Sequence, residues 1–190
     1  FSEKDKAHKG AYKTTDNKVV MRKEDGTEVV IFEPTKPFLT KKEMDDVIYW
    51  LHEEMERKET HSLILIANFI FEFLAIHPFT DGNGRLSRAL TILLLLKTGY
   101  TYVPYVSLDE IIEEKKIEYY LALRRTQSKH KTKKEDITEW LNFLLDALLE
   151  QVKRAQAIME EDQPEKLLSE KQLSVYQLFR TETLSVSEIS

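Results

Sequence analysis

The chain has 190 residues, of which 42% are hydrophobic and 32% charged, and this composition excludes an intrinsically disordered protein. A formal net charge of −5 argues against a dedicated nucleic-acid binder, and the lack of cysteine excludes disulfides and thiolate metal sites and favours a reducing compartment. The first residues contain no apolar segment like that of a signal peptide, and the longest apolar runs are too short to span a bilayer. We therefore expect a cytoplasmic domain that does not use a membrane.

Residues 18–32 predict a β-hairpin. Two runs rich in β-branched residues flank the sequence KEDG, in which Gly26 suits a positive φ. The next segment, EPTKPF, predicts an extended connector because Pro34 and Pro37 both disfavour helix.

The rest of the chain predicts helices. Five residue pairs have the spacing of capping boxes at helix starts: Thr40 with Glu43, Ser107 with Glu110, Asp136 with Glu139, Ser169 with Gln172 and Ser185 with Glu188. The segments 61–76 and 85–98 are apolar on nearly every side and predict two buried central helices, the second ending at Gly99. Helices at about 108–128 and 137–160, joined by the charged surface loop SKHKTKKED, complete a mainly α fold.

The polar sequence EEDQPEK predicts a boundary, so we expect one domain over residues 1–163. Residues 164–190 then predict a linker and a short helix, a turn and the start of another helix. This pattern is that of a truncated helix-turn-helix unit, and we expect the chain to be a fragment.

The sequence FLAIHPFTDGNGRLSRAL, residues 73–90, inserts polar residues and glycines between the two central helices. His77 should end the first helix, because a residue before proline is pushed away from α geometry. The second helix should begin near Asn83 and Gly84, where free N–H groups and the helix dipole form an anion site. Gly82 and Gly84 would let the backbone approach a phosphate closely.

Charged side chains complete this pattern. Arg85 and Arg88 lie on one side of the first helical turn and suit the oxygens of a polyphosphate. Asp81 offers a carboxylate for Mg²⁺, and His77, with an ordinary pKa near about 6.5, suits a general base. Each residue alone has a plainer explanation as a cap, a turn or a solvated surface, but their combination within twelve residues indicates phosphate chemistry on a nucleotide. The lysine loop of P-loop enzymes does not occur.

The sequence HPFTDGNGRLSR, residues 77–88, resembles the H-P-F-x-D/E-G-N-G-R-x-x-R signature of Fic-domain proteins. The resemblance extends over roughly residues 10–160 through GAYK, EYYLAL and ITEWLNFLL. It implies the Fic fold, a helical bundle around two central helices joined by the signature loop, with a β-hairpin flap. It also implies transfer of AMP from ATP to a Ser, Thr or Tyr hydroxyl of a target protein or of the chain itself, with release of pyrophosphate.

The resemblance assigns roles to the signature residues. His77 would deprotonate the target hydroxyl, and Asp81 would hold Mg²⁺ between the α- and β-phosphates. The implied phosphate ligands are Gly82, Asn83 and Gly84 for the α-phosphate, Arg85 for the β- and γ-phosphates and Arg88 for the γ-phosphate. Gly84, where a related phosphorylating group has Lys, favours nucleotidyl transfer.

Other parts of the resemblance leave alternatives open. The hairpin 18–32 would present a target segment by strand addition, or would simply cover the core. Tyr119, Tyr120 and Trp140 are candidates for an adenine pocket, although aromatic residues on helices are more often core. The family's inhibitory S/T-x-x-x-E-G/N motif does not occur in residues 1–190, so we expect Arg88 to be free for the γ-phosphate.

Two other functions compete with AMP transfer. One is removal of AMP or transfer of another phosphate-linked group. The other is DNA-binding regulation, in which DNA would be contacted only through a continuation of the C-terminal unit that begins at Leu168. The target, the preferred nucleotide and the oligomeric state, a homodimer included, are left open by the sequence.

Overall fold

The computed structural model describes residues 10–17, 19–22, 26–161, 169 and 172. The chain divides into two units, residues 1–152 and 153–190. In the second unit the capping pair predicted at Ser169 is present, since the Ser169 N–H donates to Gln172 Oε1 at 2.9 Å. The pair at Ser185, the boundary near Pro164 and the helix-turn-helix unit fall outside the described residues and stay predictions.

The N-terminal part of the first unit contains the predicted hairpin. Strands β1, Val19–Arg22, and β2, Glu28–Phe32, pair antiparallel with a register shift between Val19 and Val20. Gly26 has a φ of 81° between them, a conformation that glycine adopts without strain. The prediction of a hairpin at 18–32 is confirmed.

Helices make up most of the remaining described chain, as predicted. They are α1 (Pro37–Arg57), α2 (Ser62–Ile76), α3 (Asn83–Lys97), a 3₁₀ turn (Val103–Tyr105), α4 (Leu108–Glu114), α5 (Lys116–Gln127) and α6 (Thr138–Glu161). No helix among these residues combines the length and the apolar character needed to cross a membrane.

Two of the predicted helix limits are wrong. Helix α1 begins at Pro37, because proline fits the first helical position, where its missing N–H costs nothing. Thr40 therefore lies inside the helix and donates to the Lys36 carbonyl at 3.1 Å instead of capping it. The helix predicted at 108–128 is broken at Lys115 into α4 and α5. The predicted cap at Ser107 is confirmed, since its hydroxyl accepts the Glu110 N–H.

Helix α2 is the centre of the core. Its buried residues include Ile66, Phe71 and Ile76, each at most 2% exposed, and the buried Trp140 donates its indole N–H to the Ala67 carbonyl at 2.8 Å. Because packing holds α2 along its length, the residue at its C-terminal end has a fixed position. Helix α3 is less buried than its apolar sequence predicted, and it exposes a line of three leucines: Leu86, Leu93 and Leu96.

The loop between α5 and α6 is also more buried than predicted. His130 keeps only 8% of its side chain exposed, and its Nε2 lies 3.0 Å from Glu72 Oε1 on α2 and 3.5 Å from Glu135 Oε1. Its ring packs edge-on against Phe71. Lys131 pairs with Glu43 of α1 at 2.6 Å. This mostly charged loop is therefore held by ion pairs to α1 and α2.

Candidate active site

His77 stands at the junction of α2 and the signature loop, which we define as residues 77–82. It is the C-cap of α2, with φ 50° and ψ 61°, and its N–H donates to the Phe73 carbonyl at 2.9 Å. The sequence predicted the end of the helix here, and Pro78 explains it, because proline disfavours α geometry in the residue before it. The left-handed conformation is uncommon for a residue other than glycine and carries a cost in free energy.

The imidazole of His77 is largely buried, and this changes its protonation. Burial lowers the pKa of His77 to about 4, helped by the positive charge of Lys13 and opposed by the Leu74 backbone carbonyl and the Asp81 carboxylate. The expectation of an ordinary pKa near about 6.5 is therefore wrong. Nδ1 of the ring is buried with no hydrogen-bond partner among the described residues. His77 is neutral at neutral pH and has a nitrogen lone pair with which to accept a proton.

The N-terminus of α3 directly follows the signature loop in the sequence. Gly82 is its N-cap, with a φ of 86°, and no side chain caps the first turn. The first N–H groups of a helix have no partner within the helix, so those of Asn83, Gly84 and Arg85 are available to an anion. A Cβ on Gly84 would lie 3.4 Å from Nη1 of Arg88, which is an ordinary van der Waals contact, so space alone does not require glycine at this position.

Asn83 has a different environment from the one predicted. Its side chain is 1% exposed, Oδ1 accepts the Phe79 N–H at 2.9 Å, and Nδ2 donates to the Phe79 carbonyl at 2.7 Å. Because the amide is occupied in this way, the structure gives Asn83 the task of shaping the signature loop. Any contact of Asn83 with phosphate would come from its backbone N–H.

The charged residues of the signature are paired with one another or with α4. Arg85 lies 3.2 Å from Asp81, and both side chains are well exposed. Arg88 pairs through Nε with Oδ1 of Asp109, in the first turn of α4. The expectation of a free Arg88 did not include this carboxylate from another helix, and binding of the γ-phosphate by Arg88 stays a prediction. Sequence reasoning missed Asp109, because it lies 21 positions from Arg88 and only the tertiary fold brings the two together.

The three aromatic candidates for an adenine pocket differ in exposure. Trp140 is 1% exposed and Tyr119 is 8% exposed, and their rings pack against each other with centroids 5.8 Å apart. Burial also raises the pKa of Tyr119. Both are core residues, so the prediction needs correction for them. Tyr120, which is partly exposed, is the one of the three that presents surface to a ligand.

Comparison with known proteins agrees with this geometry. Residues 3–95 match the model of the Fic/DOC family. The chain contains a Fic/DOC family domain. Among curated proteins, this Fic domain is similar to the protein adenylyltransferase fic-1 of Caenorhabditis elegans, with 32% identity over 93 residues, which are 48% of this chain and 17% of the worm protein. The protein adenylyltransferase Fic of Drosophila mojavensis is 31% identical over 98 residues, 52% of this chain and 17% of the fly protein.

Solved structures extend the similarity over more of the chain. A Fic family protein from Desulfovibrio desulfuricans G20 is 26% identical, with a TM-score of 0.64, and the match covers 95% of this chain and 49% of that one. A Fic domain containing signaling protein from Bacteroides thetaiotaomicron is 25% identical, with a TM-score of 0.51, and the match covers 77% and 53% of the two chains. The helical architecture predicted from the signature is thus that of the Fic fold, although the chain spans only a part of these proteins.

Proposed function

We propose that this Fic domain transfers AMP from ATP to a hydroxyl group of a protein. The observation that carries the proposal is the signature loop, which brings a buried neutral imidazole to the end of α2 and leads directly into the uncapped N-terminus of α3. The curated relatives named adenylyltransferases support the same activity.

The proposed reaction is an in-line substitution at the α-phosphorus. The hydroxyl oxygen of the target Ser, Thr or Tyr forms a bond to this phosphorus, while the bond to the oxygen that bridges to the β-phosphate breaks. Pyrophosphate leaves with the electron pair, and His77 takes the hydroxyl proton. A pKa of about 4 leaves His77 unprotonated at neutral pH, and the negative phosphates of bound ATP would raise its proton affinity when the reaction requires it.

The first turn of α3 would hold the phosphates. The free N–H groups and the positive end of the helix dipole face the α-phosphate and stabilise charge that grows during the reaction. Arg85 and Arg88 would take the β- and γ-phosphates, and each must leave its present carboxylate partner to do so. The exposed pair of Arg85 contributes only about 0–1 kcal/mol, so a triphosphate can displace it. Arg88 is more buried, but its partner Asp109 is exposed and can be solvated when released.

Asp81 is the residue that would hold Mg²⁺. Its carboxylate is 90% exposed and adjoins the α3 N-terminus, which fits an ion that keeps several waters and shares its coordination sphere with substrate phosphates. The ion would neutralise charge on the phosphates when bound.

Labelled ATP tests the proposal. The protein is incubated with Mg²⁺ and with ATP labelled at either the α- or the γ-phosphate, and intact-mass analysis follows the products. We expect a mass increase of one AMP group on the protein or a partner, carrying label from the α position only. His77→Asn is the matched control, because asparagine tolerates the left-handed conformation but is no base. Label from the γ position alone would show a kinase, and release of AMP from a modified partner without any transfer would show the reverse reaction.

A further inference from the structure

The segment of residues 11–17, which we call the anchor segment, precedes the hairpin and contacts the signature loop. The Lys13 N–H donates to the Pro78 carbonyl at 2.8 Å, and its ammonium donates to the Ile76 carbonyl at 2.9 Å. The Asn17 amide donates to the carbonyls of His77 at 3.3 Å and Phe79 at 3.1 Å.

Four consecutive carbonyls, those of residues 76–79, therefore accept hydrogen bonds from two residues of the anchor segment. The two donors are also joined to each other, since Lys13 Nζ donates to Asn17 Oδ1 at 2.9 Å. Tyr12 adds a ring contact to Phe79, with centroids 5.7 Å apart. A contact set of this density at an otherwise irregular loop indicates that the position of the loop backbone matters.

The backbone of His77 explains why such an anchor is needed. A left-handed conformation in a residue other than glycine costs on the order of 1–3 kcal/mol and persists only where the surroundings determine it. Asn83 fixes Phe79 from the α3 side, and the anchor segment fixes residues 76–79 from the other side.

Burying a lysine is costly, and Lys13 is 3% exposed. Burial lowers the pKa of Lys13 to about 8, against the opposing charges of Asp16 and Glu43 and with a contribution from Lys36. An apolar side chain of the same length would fill this space without the free-energy cost of burying a charge. The ammonium group therefore does more than pack against its neighbours.

We infer that Lys13 and Asn17 are positioning residues that hold His77 in the orientation required for proton transfer. The inference rests on the proposed AMP transfer. Lys13 acts in two ways, by fixing the backbone and by placing a positive charge near the imidazole, whereas Asn17 acts on the backbone alone.

Four variants separate these effects. Lys13→Met removes the charge and the hydrogen bonds of the ammonium, Lys13→Arg keeps a charged donor, and Asn17→Leu removes only the amide. Lys42→Met is the matched control, since it removes the same charge from an exposed lysine whose partner, Asp46, lies outside the anchor segment. We expect Lys13→Met and Asn17→Leu to lower kcat for AMP transfer about tenfold or more, with KM for ATP changed less than about threefold, because a displaced catalytic group costs rate rather than phosphate binding. Lys13→Arg should recover most of the rate, and Lys42→Met should stay within about twofold of the wild type.

The imidazole signals of His77 in a pH titration by NMR give a readout independent of activity. They are assigned by their absence from His77→Asn. Lys13→Met should raise the pKa of His77, because a nearby positive charge is lost, whereas Lys42→Met should leave it unchanged. If the wild type transfers no AMP, the proposed function fails while this titration still tests the anchor.

The inference would be overturned by rates for Lys13→Met and Asn17→Leu equal to that of Lys42→Met, or by His77 signals that neither Lys13→Met nor Asn17→Leu alters. A rise in KM at unchanged kcat would instead make the two residues part of ATP binding and would equally contradict it. If Lys13→Met does not fold, Asn17→Leu and Lys13→Arg decide the question.

Discussion

At the scale of single residues, the proposed site is governed by how each ionisable group is surrounded. His77 is neutral because it is buried, and Arg88 is held by a carboxylate from another helix. Neither property belongs to the residue type alone. In the proposed reaction, the ion pair between Arg88 and Asp109 would make ATP binding an exchange of partners, in which Asp109 releases the guanidinium as a phosphate takes it.

Asp109→Asn should therefore strengthen ATP binding. The substitution removes the competing carboxylate. If this partly exposed pair contributes about 1 kcal/mol, at the upper end of the surface range, the dissociation constant decreases about fivefold. Calorimetric titration with a non-hydrolysable ATP analogue measures it. Glu110→Gln is the control, because it changes the same charge on the next residue of the same turn. Equal affinities of the two variants would show that Asp109 does not compete with phosphate.

At the scale of elements, the sequence predicted the features that neighbouring residues determine, such as where the central helices begin and end. The limits of α2 and α3 were predicted to within two residues, because long apolar runs end at Pro78 and near Gly99 and are separated by glycines. Three features were missed: the low pKa of His77, the contact of the anchor segment with the loop, and the ion pair of Arg88. Each depends on residues that are far apart in sequence and that only the tertiary fold brings together. The catalytic roles of the signature residues stay predictions.

The burial of the loop between α5 and α6 was also missed from the sequence, because it depends on the contact of His130 with Glu72 on α2. This contact can be tested by substitution. Glu72→Gln should lower the free energy of unfolding by about 1–2 kcal/mol, because it removes the nearer of the two carboxylates that contact the buried His130. Hydrogen exchange should rise across residues 128–137. The control is Glu56→Gln, which breaks a pair of the same type, with His52, between side chains that are each 67% exposed. If both variants lose the same free energy of unfolding, the contact of His130 with Glu72 does not hold the loop in place.

At the scale of the whole molecule, the buried imidazole links stability to pH. The pKa of His77 is about 4 in the folded protein and 6.5 in the unfolded chain, so between these values the unfolded chain binds more protons. Stability therefore increases with pH over this range and is lost as the pH falls from 6.5 towards 4. The shift corresponds to roughly 3 kcal/mol.

Urea unfolding at several pH values measures this contribution. Carboxylates add their own losses in acid, so the quantity of interest is the difference between the wild type and His77→Asn. We expect the wild type to lose more stability than the variant between pH 6.5 and pH 4. If stability falls equally with pH in the two proteins, protonation of His77 does not destabilise the folded state by the expected amount.

The left-handed backbone at position 77 also has an evolutionary consequence. Glycine there would relieve the backbone cost, so the general base of the proposed reaction is a residue that selection for stability alone would replace. The N-terminus of α3, with its glycines and arginines, would survive that replacement. Under the proposed function, a single substitution would then separate nucleotide binding from AMP transfer. We expect laboratory selection for heat resistance, without selection for activity, to arrive at Gly or Asn at this position.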